Sequence, residues 1–582
     1  MKSLGKLVRF VRPYLWQVVL AELLLVGMTA SDLLIPRLTQ RVIDEGVTKG
    51  DMGVVGSTAL LMLAASLGSA LCAVGNTILA VRVGQGVGAD LRSAFVRQVQ
   101  RFSFGNLDEL QTGQLLVRAT SDVNQVQMIF QMSMRMLSRA PLWVIGSMIM
   151  LGLTSRTLTL FMLALLPFIG VLIGLLMFKA RPMFERVQKK LDALNQVMQE
   201  NLSGVRVVKA FVRAAYEAAR FGVANDELTG ENVRVTQLVA MLLPSMRLIV
   251  SLGTVGVVWI GGNLVLQGDF EVGKMVASIS YMTRSLFPLL MLGGMVGPLS
   301  AADASASRIL EVLESEPEVE DSDQAVELAA VEGRVAFENV SFRYNGHEQE
   351  AVLKDVNLVA EPGETVAVLG ATGSGKSTLV NLIPRFYDVN EGRVLLDGVD
   401  VRDMPLEQLR AQTGVALQEA VLFTGTVRDN IRYGRPEATE EEVIAAAKAA
   451  QAHEFVTSFP QGYDTLVGQR GVNLSGGQKQ RLSIARALLV EPKVLILDDS
   501  TSAVDVETEA KIQAELDALM VNRTSFVIAQ RISTVLNADK IVVLDEGQIA
   551  DVGTHEELLA RSSIYREIYD SQLGDGENQN GR

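Results

Sequence analysis

The sequence predicts a two-part chain: a membrane all-α domain of six transmembrane helices that extend into the cytoplasm, followed by an α/β domain built around a phosphate loop. Three observations predict it. The 582 residues are 48% apolar with a mean hydropathy of +0.26, values foreign to an ordinary soluble chain, and the length calls for more than one folding unit. Charge then divides the chain, with 29 Lys+Arg against 24 Asp+Glu in residues 1–320 and 24 against 42 in the remainder. Finally, the pattern GxxxxGK[ST] occurs in the second half, at Gly370 to Ser377.

The N-terminus carries Lys2, Lys6, Arg9 and Arg12 and runs into an apolar stretch without a small-residue cleavage site, so a cleaved signal peptide is not expected. Runs near the 20 residues needed to cross about 30 Å of hydrocarbon lie at Tyr14 to Leu38, Val54 to Val81, Met136 to Thr154, Leu158 to Lys179, Gln237 to Leu266 and Gly273 to Leu299. Long basic segments separate the second run from the third (Arg92, Arg97, Arg101, Arg118) and the fourth from the fifth (Arg181, Arg186, Lys189, Lys190, Arg206, Lys209). Excess Lys/Arg marks the cytoplasmic side, which puts both segments, the N-terminus and the second half of the chain inside. Leu191, Leu194, Val197, Met198, Leu202 and Val205 continue a helical repeat into the cytoplasm. Pro36 and Pro244 are expected to mark kinks or span ends.

Glu22, Asp32, Arg247 and Arg284 fall inside the apolar runs. Ionisable groups in lipid face a cavity or a partner, so they line a polar substrate cavity, with Glu22 and Arg284 the deeper candidates, or they pair between helices. Twenty of the 22 methionines precede residue 321, which suits either a promiscuous cavity or core packing. A single cysteine, Cys72, excludes an intramolecular disulfide and any cysteine metal cluster. The acidic second half repels a phosphate backbone and argues against nucleic acid.

We expect the membrane domain at residues 1–320, an acidic linker at 321–334, the α/β domain at 335–572 and a polar tail at 573–582. Short strands, Val335 to Phe342 and Thr365 to Gly370, alternate with amphipathic helices, the pattern of a mostly parallel sheet. The strand Val366 to Leu369 leads into Gly370-Ala371-Thr372-Gly373-Ser374-Gly375-Lys376-Ser377, then into a helix from Thr378. In that context the glycines let backbone N–H groups cradle phosphates, Lys376 neutralises them, and Ser377 ligates Mg²⁺. A second apolar strand, Val494 to Leu497, ends in Asp498 and Asp499, and a carboxylate there can hold Mg²⁺ opposite Ser377.

Upstream of that strand lies Leu474-Ser475-Gly476-Gly477-Gln478, followed by Lys479, Gln480 and Arg481. This is the signature of ABC transporter ATPases, and with six spans the chain resembles a bacterial half-size ABC exporter over nearly its full length. The resemblance implies ATP and Mg²⁺ as cofactors. It implies that Tyr344 stacks on adenine, that Gln418 senses Mg²⁺ and the γ-phosphate, and that Ser502 to Asp505 form the D-loop, with Val504 where leucine is usual. It also implies that segments near Gly113 to Asp122 and Gly204 to Phe221 couple the two domains. In this family two ATPase domains meet head to tail, each ATP held between one chain's phosphate loop and the other's signature.

Three residues depart from the family pattern. Asp499 stands where a glutamate normally polarises the attacking water, Gln530 where a histidine normally reaches the γ-phosphate, and Gln469 where exporters usually carry Glu before the signature. Aspartate and glutamate have similar basicity, so the loss is one of reach: a misplacement of about 1 Å can cost around 10²-fold. An amide can donate a hydrogen bond but carries no positive charge and shuttles no proton. The chain therefore resembles the degenerate-site subunit of a heterodimeric multidrug exporter, lending Ser475 to Gln478 to a partner half-transporter that supplies Glu and His. Drug-like amphiphiles are the expected cargo and lipid the surrounding medium. The alternatives are a homodimeric exporter or lipid flippase using Asp499, and a regulatory or channel-like subunit.

Overall fold

The computed structural model describes residues 2–322, 324–344, 350–500, 508, 511–512, 514–515, 523–529 and 532–573. Gln530, the 502–505 segment including Asp505, His347 and the tail from 574 lie outside the described residues. The chain forms two compact units, residues 1–98 with 113–314, and residues 99–112 with 315–582.

Helices run in the order α1 (Leu15–Arg41), α2 (Met52–Arg101), α3 (Phe104–Glu109), α4 (Arg139–Thr154), α5 (Arg156–Ser203), α6 (Ala214–Ala240), α7 (Leu242–Leu266), α8 (Val272–Gly294) and α9 (Val296–Leu313). All but α3 belong to the first unit. Among the described residues five continuous stretches are long and apolar enough to cross a membrane: Lys2–Val47, Met52–Arg101, Thr112–Thr154, Arg156–Ser203 and Ala214–Leu266. The sixth expected span corresponds to α8, 23 residues long. At 1.5 Å per residue α2 and α5 reach about 75 and 72 Å, more than twice the hydrocarbon thickness.

Pro36 does not end its helix. α1 continues past it to Arg41, and the chain widens into a π-turn only at Val42–Val47. Pro244 sits in the first turn of α7, after a break at Met241, where its missing N–H costs nothing. The unit's core gathers Leu33, Leu151, Leu158, Met162, Val257 and Met282, and the buried Tyr281 hydroxyl donates to the Leu33 carbonyl at 3.1 Å. Nearer the cytoplasm, Asp122 accepts from Ser305 Oγ at 2.8 Å and from Arg308 Nε at 2.8 Å, while Arg118 faces Glu311 at 3.3 Å.

In the second unit the strands are β1 (Val335–Phe342), β2 (Leu353–Ala360), β3 (Thr365–Leu369), β4 (Glu391–Leu396), β5 (Val399–Asp400), β6 (Thr413–Ala416), β7 (Gly425–Thr426), β8 (Leu466–Val467), β9 (Val494–Asp498), β10 (Thr524–Ile528), β11 (Lys540–Asp545) and β12 (Gln548–Gly553). An antiparallel sheet orders β2-β1-β4-β5; the main sheet orders β12-β11-β3-β10-β9-β6 and is parallel except for β12. On β3, Val366 and Val368 face a core shared with the antiparallel sheet, whereas Ala367 and Leu369 face a second core with Ile541 and Tyr565. A strand buried on both faces reads as an unbroken apolar run, as Val366 to Leu369 does.

The segment 99–112 packs with this unit through α3. Phe104 stacks on Phe386 at 4.2 Å, Tyr387 Oη donates to Asp108 Oδ2 at 2.7 Å, and Asn106 bridges the Glu316 carbonyl and the Glu318 N–H. The stretch Gly113 to Asp122 belongs to the membrane unit.

Asp122→Ala strands Arg308 and Ser305 without their shared acceptor. Loss of charge-assisted bonds of this kind costs about 1–3 kcal/mol, so the melting temperature of the detergent-solubilised chain is expected to fall by several degrees, with Asp122→Asn falling less. Equal melting of Asp122→Ala and wild type would remove the network's stabilising role.

Candidate functional site: a phosphate pocket at the strand ends

The sheet order builds the site. β3 and β9 flank β10 and all three run parallel, so the loops after them emerge side by side, where open α/β sheets bind ligands. β3 delivers the phosphate loop, β9 delivers Asp498 and Asp499, and β10 ends at Ile528 beside them. Ser377 Oγ donates to Asp498 Oδ1 at 3.0 Å across 121 positions of sequence.

The loop needs its glycines. Gly370 has φ +153°, and a Cβ there would lie 2.1 Å from the Leu544 carbonyl oxygen. Gly375 has φ +100° and would place a Cβ 2.9 Å from Leu353 Cδ2. Helix α10 (Lys376–Asn381) starts directly after, aiming N–H groups at the loop's concavity. Lys376 Nζ donates to the carbonyls of Gly370 at 3.0 Å and Ala371 at 2.8 Å. Ser374 Oγ is buried with no hydrogen-bond partner among the described residues. Glycines whose backbone tolerates no Cβ and a lysine at the rim fit an anionic phosphate chain.

The carboxylates are held close in a poorly solvated place. Burial pushes the Asp498 carboxyl above the usual range, against the opposing Ser377 hydrogen bond, and Asp499 adds repulsion. Burial also lowers the Lys376 ammonium, while Asp498 and Asp499 pull it back up. Ser377, Asp498 and Gln418 supply the hard oxygen donors that Mg²⁺ prefers, and would hold it; the ion neutralises phosphate charge when bound. Gln418 Nε2 donates to Asp499 Oδ2 at 3.4 Å, and Asp499 N–H donates to the Ile528 carbonyl at 3.0 Å.

Tyr344 lines the same pocket of about 830 Å³. Its hydroxyl pairs with Thr378 Oγ1 at 2.9 Å, and its ring meets Phe342 and Tyr387 edge-on at 4.9 and 5.2 Å. The pocket is also lined by residues that sequence reasoning passed over: Ile564, Glu567, Ile568, Ser571 and Gln572 of helix α11 (Ser563–Leu573). Gln572 Oε1 accepts from the Ile532 N–H at 2.8 Å. No local motif flags these residues; only the alternation of Tyr565, Ile568 and Tyr569 hints at a packed helix.

Ser475 to Gln478 are not among the pocket's lining. Ser475 instead caps the helix Gly476–Leu489 in a reciprocal pair with Gln478, Ser475 N–H to Gln478 Oε1 at 2.9 Å and Gln478 N–H to Ser475 Oγ at 3.2 Å.

The family model "ABC transporter transmembrane region" matches residues 18–289, and the model "ABC transporter" matches residues 353–502. The chain is 39% identical over 570 residues to the ABC transporter ATP-binding protein YfiB of Bacillus subtilis (strain 168), covering 98% of each. The chain belongs to the ABC transporter family, as a half-size exporter. It is 37% identical to the ATP-dependent lipid A-core flippase of Syntrophus aciditrophicus (strain SB), covering 86% of this chain and 83% of that one. Its fold is similar to that of a bacterial Atm1-family ABC exporter solved with ATP bound, with a TM-score of 0.82, 28% identity, and coverage of 96% and 99%. This exporter is thus a multi-pass membrane protein with a cytoplasmic ATPase domain that couples ATP hydrolysis to export.

Among the ionisable residues of the spans, Glu22, Asp32 and Arg284 have interhelical neighbours. Glu22 Oε1 accepts from Ser138 Oγ at 2.9 Å. Asp32 accepts from Ser69 Oγ at 2.8 Å and faces Arg139 at 3.6 Å. The Arg139 and Arg284 guanidinium groups lie 4.7 and 5.9 Å from the Trp143 ring centre.

Lys376→Ala removes charge-assisted contacts to phosphate, each of about 1.5–3 kcal/mol. Affinity for a fluorescent ATP analogue is expected to fall about 10- to 100-fold, and an unchanged affinity would take Lys376 out of the site.

Proposed function

We propose that this exporter is one subunit of a heterodimer, that its own phosphate pocket holds ATP and hydrolyses it slowly, and that Ser475 to Gln478 complete the fast site of a different half-transporter. The observation that carries the reading is Asp499. It occupies the position after the Mg²⁺ carboxylate with a side chain one methylene short, and its carboxylate already engages Gln418. A base tied back at the glutamine loop is poorly placed to take a proton from water beyond the γ-phosphate. The separation of the signature from the pocket in one chain supports a second chain closing each site. In this reading ATP is held by Tyr344, Gly370, Thr372, Gly373, Ser374, Gly375, Lys376, Ser377 and Thr378.

For cargo, the reading favours drug-like amphiphiles. A cavity of about 590 Å³ in the membrane unit is lined by Met28, Met128, Met132 and Met136 together with Arg135 and Arg139. Flexible thioethers accept varied apolar shapes. Neither Glu22 nor Arg284 lines it; the hydrogen bond of Glu22 and the ring contact of Arg284 favour interhelical pairing as their role. The similarity to a lipid A-core flippase supports lipid export as a second reading.

In this proposal nucleotide state is relayed within the second unit along Tyr344, Tyr387 and Phe386 to Asp108 and Phe104 of α3.

ATP hydrolysis by the purified chain in lipid, with and without a candidate partner, tests the assembly. Alone it is expected to turn over slowly, Asp499→Glu with Gln530→His is expected to speed it at least roughly tenfold, and the heterodimer is expected to survive Asp499→Ala. Brisk hydrolysis by the chain alone, abolished by Asp499→Ala, would instead establish a homodimer with an aspartate base. Tyr387→Phe keeps the ring and loses the bond to Asp108; ATP affinity is expected to stay within about twofold while stimulation of hydrolysis by cargo drops. Full stimulation in that variant would exclude the aromatic route.

A further inference from the structure

A groove of about 520 Å³ between α5 and α6 is accounted for by neither ATP nor export cargo. On α5 its lining recurs at 179, 182, 183 and 186, and at the end of α6 at 234, 237, 238 and 241, the i, i+3, i+4, i+7 stripe of one helix face. Two facing stripes therefore bring Lys179, Arg186 and Arg234 to one groove. Glu231, one turn before Arg234, accepts from its guanidinium at 2.7 Å. Arg181 and Glu185, 3.6 Å apart, are not part of the lining. Three cations against one carboxylate leave the groove positive.

Its level is set by hydropathy. The apolar run of α5 stops at Phe178, and the apolar run leading into α7 starts at Leu238. The groove thus lies where hydrocarbon gives way to headgroups on the cytoplasmic side, the face marked by excess Lys/Arg. On the acyl side of the cations, Phe178 and Met241 are 81% and 59% exposed. A ligand for this place needs a compact anion at one end and a flexible apolar chain at the other, and basic pockets between spans at this level suit anionic lipid headgroups.

We propose that this groove binds an anionic phospholipid of the inner leaflet, its phosphate among Lys179, Arg186 and Arg234 and its first acyl carbons against Phe178, Leu238 and Met241. Such a lipid would brace α5 against α6, the two helices that leave the membrane together. The site is separate from the nucleotide pocket, so it stands or falls independently of the Asp499 reading.

Native mass spectrometry of the full chain in detergent, titrated with phosphatidylglycerol or phosphatidylcholine, tests it and reads the oligomeric state in the same spectrum. Wild type is expected to prefer phosphatidylglycerol, and the triple variant Lys179→Gln, Arg186→Gln, Arg234→Gln to lose that preference by roughly tenfold or more. The charge-keeping triple variant Lys179→Arg, Arg186→Lys, Arg234→Lys is expected to retain it within a few-fold, as is Arg181→Gln outside the groove. Equal phosphatidylglycerol binding by the neutralised variant, or no preference in wild type, overturns the proposal. Loss of the dimer together with the lipid overturns it as well, because the groove would then be a contact between chains.

Discussion

Peptide groups in hydrocarbon have no water to bond, and that constraint shapes everything else in this protein. It turns the first 300 residues into rods whose hydrogen bonds close within each helix, and it leaves polar side chains to find partners across the bundle. Glu22 meets Ser138 and Asp32 meets Ser69 for this reason. The same rods outlast the membrane: α2 and α5 run on as uninterrupted helices of 50 and 48 residues, stiff enough to carry a displacement into the cytoplasm. The segment 99–112 then departs from α2 and packs with the ATPase unit.

In the second unit the governing feature is strand order. Inserting β10 between β3 and β9 brings three loop ends from residues 370, 498 and 529 to one place. Chemistry that needs a lysine, a hydroxyl and a carboxylate within hydrogen-bonding reach is assembled from distant sequence by parallel pairing alone. Burial that stabilises the sheet also raises the Asp498 carboxyl and lowers the Lys376 ammonium. Both shifts reflect a site that favours opposite charges entering together, as a metal–nucleotide pair does.

Much of this was legible in the sequence because its signals are local. The phosphate loop announces itself by glycines that only positive φ or close approach requires, as Gly370 and Gly375 confirm in geometry. Val366 to Leu369 and Val494 to Leu497 read as strands because they are buried on both faces. Pro36 lies inside α1, which runs on to Arg41, because packing inside a bundle tolerates a proline that would end a water-exposed helix. The contact through Phe104 and the lining by α11 were invisible because each depends on which distant surface the segment meets.

Sequence alone determined the division into membrane and ATPase parts, the phosphate loop and the apolar strand that ends in Asp498 and Asp499, since each is written in residue type and spacing over a few turns or one strand. Tertiary structure decided that Gln418 engages Asp499, that Tyr387 joins Tyr344 to Asp108, that α11 walls the pocket, and that Lys179, Arg186 and Arg234 share a groove. Those facts come from the relative placement of elements far apart in the chain. No local pattern encodes that placement, because it is fixed by the packing of whole faces rather than by any one residue's preference.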